Sequence, residues 1–526
     1  MQEQDWHRAG SWRGETLWAS LERAAAPAGV TPTVTDGDET VALAALLARG
    51  RRIAGGLTAC GLRGGDAVII QSRNSLDAFA AMLGCFASGF VAVPLPPMFS
   101  GAQVAAVAAS SRARAMIQLD ENAGRRMREM GDALTRFAAV FVPDHEAGGA
   151  LRPWSSCALR DAPAPAPSPP DDDALVLYSS GSTGSPKGVV HSGNTMRFAV
   201  EALARFHDLG PRDTVLVATE FGFVGGTILG GLMAFLAGAS AVLMRRWDPE
   251  QALALIERHR VSYSLLMPTH VYDVMNCAAL DRTDCSSFTR AILAGVPAHV
   301  REDAAKKFCA RPLPMFGMSE SIGHVTCAPD DPWDALTASD GRTLPGTEIS
   351  IRDETGAEAP RGAVGDLFLR GPNRLLRYLG NAELTAQSIL PGGWFKTGDR
   401  AMVDGHGFMV FAGRAKEIIR RGGVTIIPAD IETALLKHPL IAEAAVVPVP
   451  DERLGEKACA CIVTRNGAEI DLAEIARHLE AEKFARYQWP EHLMLFDTLP
   501  RTPSLKIRRP DLEAAVRRRL KGDGAG

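Results

Sequence analysis

Short apolar strands alternate with helical segments along the first part of the chain. Val41 to Leu57 repeats apolar residues at helical spacing, and Ala67 to Ile70 follows as a buried apolar run. Leu76 to Phe86 again has helical spacing, and Val91 to Pro94 is a second short apolar run. A similar series lies at about residues 195–316. Because strands joined by helices run parallel, the pattern predicts largely parallel α/β sheets.

Length and composition indicate a multidomain globular protein. A chain of 526 residues exceeds what one hydrophobic core usually serves, and 46% hydrophobic with 22% charged residues is ordinary. The net charge of −4 predicts no bulk attraction to nucleic acid or an anionic membrane. We also expect no membrane span and no signal peptide. The nine scattered cysteines predict reduced thiols and a cytoplasmic location.

A loop rich in glycine and hydroxyl residues follows the apolar run Ala174 to Tyr178 and ends on Lys187. Glycines let backbone N–H groups converge on an anion, so this loop is typical of a phosphate-binding site. A P-loop NTPase would have glycine directly before the lysine and Ser or Thr directly after it. This chain has Pro186 and Gly188 at those positions. The sequence therefore predicts a phosphate-binding loop of another kind.

The string from Tyr178 to Gly188 closely resembles the phosphate-loop signature of the adenylate-forming superfamily. That superfamily includes acyl- and aryl-CoA ligases, nonribosomal peptide adenylation domains and luciferases. Further segments resemble its other signatures in the same order, at residues 316–320, 393–399, 413–418 and 500–506. The resemblance covers roughly residues 40 to 510.

The resemblance implies a large N-terminal domain over residues 1–415, with two doubly wound α/β subdomains and a small β-barrel. A small, mobile α+β C-terminal domain would follow over residues 417–526, with a hinge at Lys416. The residues themselves indicate an exposed Pro/Ala/Asp linker at 161–173. They also predict β structure from Gly346 to Val403.

The C-terminal region has its own pattern. It predicts a helix over Ala429–Leu436, begun by Pro428, and another over Leu472–Phe484 with Asp471 and Glu474 in capping-box positions. An apolar strand over Glu443–Val449 lies between them.

The implied reaction is ATP-dependent activation of a carboxylic acid to an acyl adenylate, with release of pyrophosphate, followed by transfer to the thiol of coenzyme A. The resemblance implies Lys506, Thr183 and Glu320 as catalytic residues, with Glu320 as the Mg²⁺ ligand. Lys506 would reach the α-phosphate during adenylation. Phe316 would stack on adenine, Asp399 would bind the ribose, and Arg414 would contact the ribose or phosphates.

The remaining implied site residues fall into three groups. Other contacts to ATP or AMP come from Ser179, Ser180, Gly181, Ser182, Gly184, Lys187, Gly295, Gly317, Met318 and Ser319. The acyl pocket includes Phe221, Gly222 and Gly225. Gly422 and Gly423 line the tunnel for the thiol.

Two positions depart from the superfamily pattern. Leu505 stands where glycine usually precedes the mobile lysine, and Gly222 stands where a histidine or aromatic residue usually gates the acyl pocket. The second change predicts a roomier pocket or a different arrangement of the thiol step. Glu220 beside it is interpreted either as a contact to a polar substrate or as a solvent-facing residue.

Three functions are compatible with the sequence. The first is a CoA ligase for a medium, alicyclic or aromatic acid. The second is a free-standing adenylation enzyme that loads a carrier protein in trans, since only a short basic helix and tail follow Lys506. The third is a nucleotide- or acyl-binding homologue with weakened catalysis, an alternative that rests on Leu505 and Gly222.

Overall fold

The structure is a computed structural model. It describes residues 3–26, 29–121, 123–158, 166–179, 187–414, 419–421, 424–451, 453–482, 484–501 and 507–522. The chain divides into two compact units, which are described separately. The first comprises Met1–Ile349 and Leu369–Lys396, and the second comprises Ser350–Phe368 and Thr397–Gly526.

Residues up to 192 form strands and helices in alternation. The strands are β1 (Thr33–Asp36), β2 (Glu39–Ala42), β3 (Ala67–Gln71), β4 (Val91–Leu95), β5 (Ala115–Gln118), β6 (Ala139–Val142), β7 (Leu151–Pro153), β8 (Asp173–Ser179) and β9 (Lys187–Ser192). The helices are α1 (Glu3–Arg8), α2 (Leu17–Ala25), α3 (Leu43–Ala59), α4 (Leu76–Ser88), α5 (Gly101–Ser111), α6 (Ala123–Met130) and α7 (Ser155–Ala158).

The next segment repeats the alternation. Its strands are β10 (Thr214–Val217), β11 (Ser240–Leu243), β12 (Tyr263–Leu266), β13 (Arg290–Ala294), β14 (Arg311–Met318), β15 (Ser321–Thr326) and β16 (Arg342–Thr343). Its helices are α8 (Gly193–Phe206), α9 (Met233–Leu236), α10 (Pro249–His259), α11 (Pro268–Met275), α12 (Ala298–Lys307) and α13 (Trp333–Ala338). A π-helix spans Gly225–Leu232.

The last part of the chain is richer in strands. These are β17 (Glu348–Arg352), β18 (Gly365–Arg370), β19 (Arg377–Tyr378), β20 (Phe395–Val403), β21 (Met409–Arg414), β22 (Ile419–Arg421), β23 (Val424–Ile426), β24 (Ile441–Asp451), β25 (Gly455–Thr464) and β26 (His492–Leu495). The helices are α14 (Ala382–Ser388), α15 (Pro428–Leu435), α16 (Leu472–Ala481) and α17 (Arg509–Gly522). Short 3₁₀ helices lie at Gly131–Arg136, Asp144–Glu146, Leu280–Arg282, Pro391–Gly393, Arg465–Gly467 and Arg486–Gln488.

The first unit contains two large sheets, and the predicted parallel α/β architecture is confirmed. One sheet has the order β19-β9-β8-β4-β3-β5-β6-β7, and its strands from β8 to β7 pair in parallel. The other has the order β16-β15-β14-β13-β12-β10-β11-β1-β2, and it is parallel from β14 to β1. Every residue of β3 and β4 is buried, which explains the uninterrupted apolar runs of the sequence.

Local sequence signals set the ends of the helices. In α4 the Ser75 hydroxyl accepts a hydrogen bond from the Ala78 N–H at 3.1 Å, and Gly89 ends the helix in the left-handed conformation. The helix predicted from Val41 begins two residues later, because Val41 and Ala42 extend β2, which pairs with β1.

Strands β17, β18, β20 and β21 form a four-stranded sheet in the segment predicted as the β-barrel, and the division between the two units runs through these strands. The rest of the second unit is a sheet of order β23-β22-β25-β24, with β26 parallel to β25. Helices α15 and α16 share one apolar cluster with this sheet, and α17 shares a second. This arrangement matches the predicted α+β domain.

The expectation of an exposed linker at 161–173 is partly wrong. Residues 159–165 lie outside the described residues, but Ser168 is buried, and its N–H donates to the Phe86 carbonyl at 3.2 Å. Asp173 already belongs to β8. The composition of the linker could not predict this contact, because the partner residue, Phe86, lies near the end of α4. In the part of the chain that the structure describes, no helix is both long and apolar enough to span a bilayer.

Candidate active site

Two antiparallel strands carry the predicted phosphate loop. Strand β8 ends at Ser179 and β9 begins at Lys187, and these two residues are paired in register. The loop between them, residues 180–186, lies outside the described residues. Gly188 packs closely, since a methyl group there would lie 3.1 Å from side-chain atoms of Val176 and Leu379. The base of the loop is therefore a tightly packed hairpin.

Glu320 lies in the two-residue turn between β14 and β15, where Met318 pairs with Ser321. Gly317 is required there for space, because a methyl group at this residue would lie 2.8 Å from the Gly323 nitrogen. The register shifts between Phe316 and Met318, as in a β-bulge. Bulges of this kind re-aim side chains at functional sites.

Three hydrogen bonds hold this turn, here called the acidic turn and defined as Ser319–Glu320. The Leu375 N–H donates to the Glu320 carbonyl at 2.7 Å, and the Tyr378 hydroxyl donates to Glu320 Oε1 at 3.0 Å. His191 Nε2 lies 2.7 Å from the Ser319 carbonyl oxygen. A carbonyl oxygen can only accept, so Nε2 carries the proton.

Burial controls the charge of these partners. It lowers the pKa of the fully buried His191 imidazole to about 4, against a weaker opposing effect of its hydrogen bond to Ser319. Burial is also the main reason why the pKa of Tyr378 lies far above its usual value, and the Glu320 carboxylate adds to it. At neutral pH the acidic turn is therefore held by two uncharged donors.

The carboxyl ends of neighbouring parallel strands bring further predicted residues to one edge. Ala294 at the end of β13 pairs with Met315 of β14, so Gly295 and Phe316 directly follow paired positions. Gly295 has a φ of +67°, and a methyl group there would meet nothing within 4 Å. Ligands of doubly wound sheets bind at this edge, and the space beside Gly295 is compatible with the predicted adenine pocket.

The corner after β10 holds the predicted acyl-pocket residues. Phe221 is fully buried and makes an edge-to-face contact with Phe79, with ring centroids 5.3 Å apart. Gly222 has a φ of +95°, and a methyl group there would lie 2.3 Å from the Pro96 nitrogen. The space beside Gly222 is thus filled by backbone, which contradicts the interpretation that this glycine enlarges the pocket. Gly225 begins the π-helix, an irregularity frequent at functional sites.

Glu220 is half-buried and lines a cavity of about 480 Å³. Its Oε1 lies 3.9 Å from an Arg73 guanidinium nitrogen, and burial raises the pKa of its carboxyl. The cavity lies beyond the carboxyl ends of β3 and β4, and its lining includes Arg73, Pro97, Met98, Ser100, Arg125, Arg126, Glu129 and Glu220. Glu220 thus faces a polar cavity, and its contact with a polar substrate stays a prediction.

In the second unit, Asp399 and Arg414 lie opposite each other on β20 and β21. Asp399 is buried, and its Oδ1 lies 3.3 Å from Arg414 Nε. Its N–H donates to the Thr397 hydroxyl at 2.9 Å across Gly398, which has a φ of +76° within β20. The sequence predicted both residues separately, and the structure shows them as an ion pair.

Several predicted site residues lie outside the described residues. They are Ser180, Gly181, Ser182, Thr183, Gly184, Lys416, Gly422, Gly423, Leu505 and Lys506. Their roles stay predictions. Among the residues that are described, no group of three or more His, Cys, Asp or Glu side chains could hold a metal ion.

The sequence analysis missed His191 and Tyr378. His191 lies four residues after Lys187 on the same strand. The available signal was a polar residue directly after the apolar pair Val189 and Val190, since a polar residue that is buried needs a hydrogen-bond partner. For Tyr378 the sequence carried no such signal, because its partner Glu320 is 58 positions away.

Two known protein families match this chain, each over a different part of it. The AMP-binding enzyme family matches residues 21–379, and the AMP-binding enzyme C-terminal domain matches residues 430–506. The anthranilate CoA ligase AuaEII, solved in complex with anthranoyl-AMP, superposes with a TM-score of 0.88 over 96% of this chain and 98% of that chain. At 23% identity this likeness shows a shared fold.

Curated relatives include ligases for different acceptors. The medium-chain fatty-acid–CoA ligase of Escherichia coli (strain K12) is 33% identical over 67% of this chain, which spans 63% of that relative. The sulfoacetate–CoA ligase of Cupriavidus necator is 31% identical over 86% of this chain and 88% of the relative. The fatty acid–[acyl-carrier-protein] ligase ScoC of Streptomyces coeruleorubidus is 30% identical over 94% of both chains.

Proposed function

The chain belongs to the AMP-binding enzyme family of adenylate-forming acyl- and aryl-CoA ligases, and we propose that it converts a carboxylic acid into its CoA thioester in two steps. In the first step a carboxylate oxygen attacks the α-phosphorus of ATP, and the bond to pyrophosphate breaks. In the second step the CoA thiol attacks the acyl carbon, AMP leaves with the bonding electron pair, and the thiol proton passes to solvent.

One observation carries this proposal. Strand β9 joins the base of the phosphate loop to the acidic turn, since it begins at Lys187 and its His191 holds the Ser319 carbonyl at 2.7 Å. A phosphate-binding loop suits a nucleoside triphosphate, and a carboxylate fixed beside the same strand suits the divalent cation that neutralises the triphosphate charge.

The residues also fit a magnesium ion. One oxygen of Glu320 accepts from Tyr378, and the other makes no hydrogen bond within the described part of the chain. Mg²⁺ typically binds one or two carboxylates together with phosphate oxygens and water, so Glu320 with the triphosphate suffices. When bound, Mg²⁺ would neutralise negative charge on the phosphates.

We assign the remaining roles as follows. Ser182, Thr183 and Lys187 bind the β- and γ-phosphates, and Phe316 stacks on adenine. The buried Asp399 carboxylate accepts hydrogen bonds from the ribose diol. Lys506 stabilises charge at the α-phosphate during adenylation, and Arg414 contacts the ribose or phosphates.

The acid is proposed to be of medium length, alicyclic or aromatic, and the medium-chain ligase among the relatives supports this. A carrier protein is the second candidate acceptor, supported by the fatty acid–[acyl-carrier-protein] ligase, which aligns over 94% of both chains. We further propose a cytoplasmic location, because all nine cysteines are free.

The test uses the full chain with ATP, magnesium and a panel of acids, and measures acid-dependent exchange of labelled pyrophosphate into ATP. Active acids are then incubated with CoA or with a carrier protein, and the products are identified by mass spectrometry. We expect exchange with at least one acid and an acyl-CoA product. Acyl-carrier protein without acyl-CoA would favour the second acceptor. Absence of exchange across a broad panel would overturn the proposal.

A further inference from the structure

The Glu320 carboxylate is held at one oxygen only. The Tyr378 hydroxyl donates to Oε1 at 3.0 Å, and Tyr378 is 7% exposed. A carboxylate oxygen accepts, so the Tyr378 hydroxyl is the donor in this hydrogen bond. The second oxygen, Oε2, is left without a hydrogen bond among the residues that the structure describes. The carboxylate therefore has one anchored and one available oxygen.

Tyr378 is itself fixed by the backbone. It lies on β19, where it pairs with Val189 of β9, and the next residue, Leu379, donates its N–H to the Gly188 carbonyl at 2.8 Å. The Tyr378 N–H donates to the Thr385 hydroxyl at 3.0 Å. Its ring packs in an apolar cluster with Val189, Leu375 and Phe395. A phenol held in this way cannot follow a carboxylate that rotates away.

The same strand restrains the acidic turn from a second direction. His191 of β9 donates to the Ser319 carbonyl, while Val189 of β9 pairs with Tyr378, which donates to Glu320. His191 thus holds Ser319 directly, and Val189 holds the neighbouring Glu320 through Tyr378. Lys187 begins the same strand at the base of the phosphate loop. A displacement of Glu320 relative to β9 would therefore break these contacts.

We propose that Tyr378 is a positioning residue that fixes Oε1 of Glu320 and so directs Oε2 toward the cation that accompanies the nucleotide. This inference rests on the proposed function, since it requires Glu320 to serve Mg²⁺·ATP. Partners that orient a metal-binding carboxylate typically change metal affinity or activity by 10–100-fold when they are removed.

Tyr378→Phe tests this role, because it removes the hydroxyl and keeps the ring. Pyrophosphate exchange is measured with an active acid as a function of free Mg²⁺, and the Mg²⁺ dependence of ATP binding is measured by calorimetry without acid. We expect the Mg²⁺ concentration for half-maximal exchange to rise roughly 10–100-fold, with exchange largely restored at saturating Mg²⁺. The Mg²⁺ concentration for half-maximal binding of ATP should rise as well, because binding of the Mg²⁺·ATP complex uses the same carboxylate.

Tyr263→Phe is the matched control. Tyr263 is a fully buried tyrosine of the same unit, and its hydroxyl lies 2.6 Å from His207 Nδ1. This variant should lose thermal stability but keep the parent's Mg²⁺ dependence of exchange and of ATP binding. Tyr378→Phe in combination with Glu320→Gln should add little to Glu320→Gln alone, because Tyr378 acts through that carboxylate.

The outcomes separate the two claims. If the parent protein exchanges pyrophosphate and Tyr378→Phe keeps the parent's Mg²⁺ dependence of exchange and of ATP binding, the positioning role is refuted. If the parent exchanges with no acid, the proposed function itself fails. Should Tyr378→Phe not fold, 4-fluorophenylalanine at position 378 fills the space of the hydroxyl but cannot donate a hydrogen bond. An unchanged Mg²⁺ dependence in that variant would equally refute the role.

Discussion

Replacing Gly222 with alanine tests how tightly the corner after β10 is packed. Gly222 has a φ of +95°, and a methyl group built on it would lie 2.3 Å from the Pro96 nitrogen and 2.5 Å from the Leu95 carbonyl carbon. Ordinary contacts begin at 3.4 Å, so the two backbone segments would have to separate by about 1 Å. Because the obstacle is backbone, no side chain can rotate away to make room.

The expected loss of stability has two parts. A side chain in the left-handed region costs about 1–2 kcal/mol, and overpacking a closed site costs about 1–3 kcal/mol more. Gly222→Ala should therefore lower the free energy of unfolding by about 2–5 kcal/mol. Gly295→Ala is the matched control, because Gly295 also has positive φ but open space beside it. It should cost only about 1–2 kcal/mol.

Thermal and denaturant unfolding of both variants measures this difference. The Gly222 N–H also donates to the Thr227 hydroxyl at 2.9 Å, so a displaced corner should disturb the predicted acyl pocket. We expect Gly222→Ala to raise KM for the acid more than KM for ATP. Equal stability losses in the two variants would refute the packing described for Gly222.

Further predictions concern pH, the ribose contact and the mobile lysine. Burial lowers the pKa of the imidazoles of His191, His207, His270 and His324. The unfolded chain therefore takes up protons below about pH 6.5, whereas the folded protein does so only at about pH 4. Over that window each imidazole lowers the free energy of unfolding by up to about 3 kcal/mol. The melting temperature should therefore fall as the pH is lowered from 7 to 5, and a flat profile would contradict this. Asp399→Asn should raise KM for ATP roughly tenfold or more, because it removes a charged acceptor from the ribose diol. Steady-state exchange measures this KM, and an unchanged value would exclude ribose binding by Asp399. Lys506→Ala should abolish adenylation but spare thioester formation from a supplied adenylate, and survival of both half-reactions would contradict its assignment.

Local signals predicted most of the fold. The buried runs became β3, β4 and β8 because parallel strands covered on both faces contain few polar residues. Pro428 begins α15 as predicted, and Asp471 accepts from the Glu474 N–H at 2.7 Å at the start of α16. That helix ends at Ala481, three residues before the predicted end. Helix ends are set by contacts as well as by spacing, which explains this difference.

Contacts between distant segments could not be predicted in this way. The sequence suggested an open pocket at Gly222 because glycine has no side chain, but Pro96, 126 positions away, fills the space. Glu320 was identified by its motif, whereas its partners His191 and Tyr378 emerged only when β9, β14 and β19 were placed in three dimensions. The Asp399–Arg414 ion pair likewise depends on the register of two strands.

The most direct test is the identity of the nucleotide and phosphate products when the purified protein turns over its acid with magnesium and ATP. The family assignment and the site predict AMP and pyrophosphate in equal amounts, formed only when the acid is present. Release of ADP and orthophosphate would contradict the account, because cleavage would then have occurred at the γ-phosphate and no acyl adenylate could have formed.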